Sequence, residues 1–197
     1  MSNSPGLVVA VTIGALLSFW GITHLLNLDM LGFGKKKAMR EFPEEAKKLG
    51  FRLKTSRHGQ FGVYSGKYNG YFFTIDPDSN ATIHLSMPTI PGLRLSTIYN
   101  KTDFETGSPG FDQLFSERSA PPEIREKLCG AKKLLAFADT FGTRWKKKCR
   151  FIKVVQDGIY CSFKYGSSSY IPAPVLEKIV PDLVELANLI QAAAKSK

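Results

Sequence analysis

From Leu7 to Leu26 the chain reads LVVAVTIGALLSFWGITHLL, twenty residues without a formal charge. An α-helix rises about 1.5 Å per residue, so about 20 apolar residues cover the ~30 Å hydrocarbon core of a bilayer. The run is apolar on all sides, whereas a helix on a protein surface keeps its apolar residues to one stripe. Lys35, Lys36, Lys37 and Arg40 follow it, and no Lys or Arg precedes it. Positive charge stays on the cytoplasmic side of such a segment. The expectation is a single-pass membrane protein with its N-terminus outside: a transmembrane anchor over 1–34, a basic juxtamembrane linker over 35–41, and a cytoplasmic domain over 42–197. A cleavable signal peptide would want a basic start and a small-x-small cleavage site, and MSNSPG and NLDMLGFGKKK supply neither. Within the run, Gly14, Ser18 and Trp20 are candidates for packing against a partner helix.

Charge is concentrated beyond the run. The net charge is +10, and Asp29 is the only formal charge in the first 34 residues, so the remainder carries +11. A basic domain at a membrane is drawn to anionic headgroups. The densest cluster runs from Lys132 to Lys153, where eight basic residues accompany one acid, Asp139. Its centre is Arg144-Trp145-Lys146-Lys147-Lys148-Cys149-Arg150. A Trp beside a lysine run suits headgroup depth, and the competing reading is a solvated loop with Trp145 turned inward. The candidate contact set for a partner or lipid is therefore Arg144, Trp145, Lys146, Lys147, Lys148 and Arg150, with Lys35, Lys36 and Lys37. Nucleic acid ranks lower, because it would want several exposed aromatics on the basic face.

Cys129, Cys149 and Cys161 are odd in number and form no CxxC pair. Free thiols suit a reducing cytoplasm better than a disulfide framework. Cys149 lies among four cations, the setting of a reactive thiol.

The pattern after residue 41 predicts α+β: a mainly antiparallel sheet packed with helices. A short helix is expected from Pro43 to Gly50, docking through Phe42, Ala46 and Leu49. Asn69-Gly70 predicts a type I′ hairpin with Val63, Tyr71, Phe73 and Ile75 toward the core, and Asp157-Gly158 predicts a second. Strands are expected at Thr82–Met87 and Leu93–Ser96, with a further short one at Phe104. Ser108 is expected to cap a short helix that has Pro109 in its first turn. Two more helical pieces span Pro122–Gly130 and Ala131–Gly142. The C-terminal stretch is amphipathic, with Leu176, Ile179, Val180, Leu183, Leu186, Ala187 and Ile190 in one stripe, and Pro181 is expected to kink or restart it.

Chemical signatures are few. The chain has no phosphate-binding loop, dinucleotide fingerprint, HExxH or GxSxG. His58 and His84 lack the spacing of metal ligands. No catalytic, cofactor-binding or metal residues are expected.

The segment TGSPGFDQLF resembles a loosely defined group of uncharacterised bacterial membrane-anchored domains that carry T-G-x-P-x-F-D-x-x-F. The matches are Thr106, Gly107, Pro109, Phe111, Asp112 and Phe115, with Leu49-Gly50-Phe51, Tyr64, Gly66, Tyr68 and Gly70 upstream. The resemblance spans most of 42–190. It implies a bacterial inner-membrane protein with a non-catalytic domain, and carries over no catalytic residue. A capped structural turn is the expected role of the Gly107–Asp112 block. The combined expectation is a non-enzymatic accessory, scaffolding or assembly subunit of an integral membrane protein complex. The alternative is a module that binds anionic lipid or nucleic acid through 132–153.

Overall fold

Asn69 and Gly70 take the positive φ values, 47° and 86°, that a type I′ turn demands. They fold β2 (Val63–Tyr68) onto β3 (Tyr71–Asp76) in antiparallel register, Tyr68 opposite Tyr71 and Tyr64 opposite Ile75. The computed structural model describes residues 33–55, 62–78, 81–164 and 170–196. In it, β1 (Arg52–Thr55) and β4 (Thr82–Ser86) flank this hairpin. At the far edge, β5 (Arg94–Ser96) pairs with β6 (Glu117–Ser119). The late hairpin of β7 (Cys149–Val155) and β8 (Gly158–Phe163) fills the gap between the halves. The sheet order is β1-β2-β3-β4-β8-β7-β5-β6, with every neighbouring pair antiparallel.

Period-2 alternation gives the sheet two faces. Phe73, Ile75, Ile83, Leu85, Ile152, Val154, Ile159 and Phe163 point into a core shared with the helices. The opposite face carries a cross-strand row, Thr74, His84, Tyr160 and Lys153, each half-buried. Among the described residues five helices accompany the sheet: α1 (Phe33–Lys48), α2 (Pro109–Leu114), α3 (Pro122–Gly130), α4 (Lys132–Trp145) and α5 (Ala173–Lys195). α5 is the hub, packed by α1, α3 and α4, while α2 sits on α4. All seven residues of its predicted stripe are fully buried. Each large aliphatic side chain so buried contributes about 1.5–3 kcal/mol.

Several expectations need correction. Among the described residues no helix is long and apolar enough to cross a membrane. That overturns the architecture of a transmembrane helix followed by a sheet-and-helix domain; what the structure describes is α+β with an antiparallel sheet. The run 7–26, with Gly14, Ser18 and Trp20, lies outside the described residues.

The linker expected over 35–41 is the first half of α1, which passes through Pro43. A helix-interior proline costs about 3 kcal/mol. Burial of Phe42 and Ala46 on either side of it offsets that cost, and the Phe42 ring packs edge-on against Tyr64, 5.2 Å between centroids. Pro181 likewise lies inside one continuous α5, flanked by buried Ile179, Val180, Leu183 and Val184.

Tyr64, rather than Val63, faces the core from β2. The short strand expected at Phe104 forms instead at Glu117–Ser119. The second hairpin turns at Gln156-Asp157, since Val155 pairs with Gly158, and Gly158 is absent from the positive-φ residues. Its lack of a side chain serves close packing: a Cβ there would lie 2.5 Å from the Leu85 carbonyl oxygen and 2.6 Å from His84 Nε2.

Candidate functional site

α4 buries Leu134, Ala138, Phe141 and Trp145, one face at helical spacing. Trp145, at the end of that face, is only 1% exposed and sits edge-on to Phe163 at 6.5 Å. Its indole N–H donates to Asp182 Oδ2 at 2.6 Å. The Arg144 guanidinium donates to both oxygens of the same carboxylate, at 2.9 and 2.7 Å. One acid on α5 therefore ties down the last turn of α4. Of the sequence-derived contact residues, Trp145 belongs to the core and Arg144 is paired.

The chain then turns through Lys146, Lys147 and Lys148 into β7, and these three with Arg150 are exposed. Lys148 Nζ stands 5.0 Å from the centroid of the Trp145 ring, within cation–π range. The Lys146 ammonium donates to the Gln113 carbonyl. No ion pair among the described residues involves Lys146, Lys147, Lys148 or Arg150. Strand pairing adds one more cation. Cys149 lies opposite Phe163, and the backbone N–H of exposed Lys164 donates to the Lys148 carbonyl at 3.4 Å. Five cations thus meet at the open end of the β7–β8 hairpin. Lys164 was missed because it lies outside the charged run; counting register back from the turn would have found it. A cleft of about 320 Å³ between α2 and α4 adjoins this end, lined by Lys146, Lys147, Thr143 and Asp139.

Lys35, Lys36 and Lys37 lie in α1, and Lys37 pairs with Glu41 at 3.9 Å.

The Gly107–Asp112 block has a structural role of its own. The Ser108 hydroxyl makes no capping bond. Instead, Asp112 Oδ1 accepts from the Thr106 N–H and hydroxyl at 3.2 and 3.0 Å. Beside it lies Arg118, 5% exposed, whose guanidinium donates to the carbonyls of Phe104, Asp112 and Phe115 and rests 3.4 Å from Asp112 Oδ1. A buried charge held by this many acceptors staples the 101–119 segment.

His84 stacks on Tyr160, ring centroids 4.1 Å apart, and its Nε2 is buried without a hydrogen-bond partner. Burial lowers its pKa, and nearby Asp157 partly opposes this. His58 lies outside the described residues. Among the described residues no group of three or more His, Cys, Asp or Glu is placed to hold a metal ion. A cleft of about 670 Å³ runs between α3, the start of α4 and the end of α5, over Leu134, Leu189, Ala192 and Ala193, with Lys127, Lys132 and Lys133 at its rim.

No protein-family model matches the chain, and no curated protein matches it in sequence. A solved structure similar to it is that of the mycobacterial trehalose monomycolate transport factor A. The likeness covers 80% of this chain and 94% of that one, with 10% identity and a TM-score of 0.49.

Proposed function

We propose that this protein is a non-enzymatic docking module, an accessory subunit that settles on anionic lipid headgroups beside an integral membrane protein complex. The observation that carries the reading is the group of exposed cations Lys146, Lys147, Lys148, Arg150 and Lys164 at one end of the sheet, free of acidic partners among the described residues. Two are pre-positioned, Lys148 over the Trp145 ring and Lys146 on the Gln113 carbonyl, so less side-chain entropy is lost on docking.

Magnitudes decide what such a patch can do. Each Lys or Arg near an anionic surface contributes about 1 kcal/mol. Five contribute about 5 kcal/mol, an affinity between millimolar and micromolar. That orients a domain but does not hold it, so a second attachment to a protein partner is required, and this is the accessory role. The anionic cytoplasmic leaflet is the surface that fits.

Co-sedimentation with vesicles of phosphatidylcholine alone, or with added phosphatidylglycerol, tests the reading. Binding is expected only with the anionic lipid, falling with salt and lost in the triple variant Lys147→Glu, Lys148→Glu, Arg150→Glu. Binding that ignores lipid charge and these substitutions refutes lipid docking. A mild-detergent pull-down that yields no stoichiometric partner refutes the accessory role. Tighter binding to an oligonucleotide than to vesicles would reassign the patch.

A further inference from the structure

We propose that Cys149 and Cys161 are an intramolecular disulfide pair, closed by thiol–disulfide exchange with a small-molecule disulfide. Their Sγ atoms lie 3.1 Å apart. Non-bonded carbons rest at about 3.5–4.0 Å and a formed disulfide measures about 2.05 Å, so closure needs an approach of about 1 Å.

Sequence spacing does not announce this pair, because its members stand twelve positions apart, across a hairpin turn. Two features of the fold bring them together. On β8, Cys161 points into the core between Ile159 and Phe163, fully buried. On β7, the register shifts between Cys149 and Phe151, so Arg150 is an extra residue and Cys149 packs against the core it would otherwise have passed. Bulges that re-aim a side chain in this way recur at functional positions. The third thiol is elsewhere: Cys129 stands on α3 with its Sγ 3.5 Å from the Glu105 carbonyl.

Burial sets the order of events. Cys149 is half-buried and reachable, and Cys161 is not. The Cys149 thiolate attacks one sulfur of the small disulfide R–S–S–R and expels R–S⁻, leaving R–S on Cys149. Cys161, deprotonated, then attacks the Cys149 sulfur and expels the second R–S⁻, forming the Sγ–Sγ bond. The two protein thiols lose two electrons and two protons, and R–S–S–R is reduced to two thiols. Burial pushes the Cys161 thiol well up, with the Cys149 contact adding to it, so Cys161 enters second. The inference is independent of lipid docking, although the bridge would fix the bulge that presents Arg150.

The reduced full chain is incubated with oxidised glutathione, alkylated, digested and read by mass spectrometry. A peptide linking Cys149 to Cys161 is expected, with the intact mass lower by two hydrogens and Cys129 carrying the alkyl group. Cys161→Ser is expected to trap glutathione on Cys149, and Cys149→Ser to leave Cys161 unmodified in the folded protein. A wild-type chain that keeps glutathione on Cys149 without linking, links Cys149 to Cys129, or reacts only after denaturation overturns the proposal.

Discussion

The Trp145 indole N–H and the Arg144 guanidinium converge on one carboxylate, Asp182, on α5. This arrangement turns a tryptophan in the middle of a lysine run into a core residue. Asp182→Ala leaves Nε1 buried without an acceptor, and such a loss costs about 1–3 kcal/mol. The Arg144 pair adds little, because that side chain is 47% exposed. Asp182→Asn keeps an acceptor and is expected to cost less. Urea denaturation of the two variants against wild type checks the ordering. In a Trp20→Phe background, Trp145 emission is expected to stay unchanged when anionic vesicles are added.

Arg118 is the most heavily bonded charge in the described structure. Arg118→Ala removes a donor from three carbonyls and the neighbouring cation from the Asp112 carboxylate in a buried segment. Breaking one side of a buried pair costs about 3–5 kcal/mol. Asp112→Asn retains an acceptor for Thr106 and is expected to cost less than half as much. Chemical denaturation gives the energies, and limited proteolysis should show cleavage within 101–119 in Arg118→Ala first.

Gly158 and Gly70 separate two reasons for glycine. Gly158→Ala forces a Cβ onto the Leu85 carbonyl and the His84 ring, and overpacking of this kind costs about 1–3 kcal/mol. Gly70→Ala meets nothing within 4 Å but holds φ at 86°, a conformational cost of about 1 kcal/mol. Thermal melts should rank Gly158→Ala as the more damaging. Replacing His84 with Ala should partly rescue it and should not rescue Gly70→Ala.

His84 makes stability depend on pH with a definite sign. Its folded pKa lies below the ordinary 6.5, chiefly through burial, with Asp157 acting the other way. As pH falls below about 6.5 the unfolded chain takes up a proton that the folded chain refuses. Stability is therefore fully present above that pH and falls as the pH drops toward the folded pKa, where the loss levels off. Urea midpoints at pH 7.5 and 5.5 should differ more in wild type than in His84→Gln.

Local chemistry was legible where one element decides the outcome. Asn69-Gly70 predicts its turn because a type I′ turn needs positive φ at both positions, whatever lies around it. The α5 stripe is legible because burial follows the 3.6 period. Pro43 misled, since its cost inside α1 is offset by packing on distant elements. Gly158 misled because a contact with β4, far away in the chain, accounts for it rather than its own dihedral. The Gly107–Asp112 block is held by Asp112 and Arg118 and not by the expected Ser108 cap, and Arg118 carries no signal in sequence beyond being one of many cations.

What the residues alone determined is the alternation, the turn chemistry and the charge: an α+β class with an antiparallel sheet and a basic surface. Each depends on neighbours within a few positions. What only the tertiary structure decided is which charges are free and which thiols meet. The carboxylate of Asp182 claims Arg144 and Trp145, strand pairing brings Lys164 to Lys148, and a one-residue bulge sets Cys149 beside Cys161. Those outcomes depend on the docking of α5 and on the β7–β8 register. Both are settled by burial of the whole core, a sum over residues far apart in the chain that no local pattern contains.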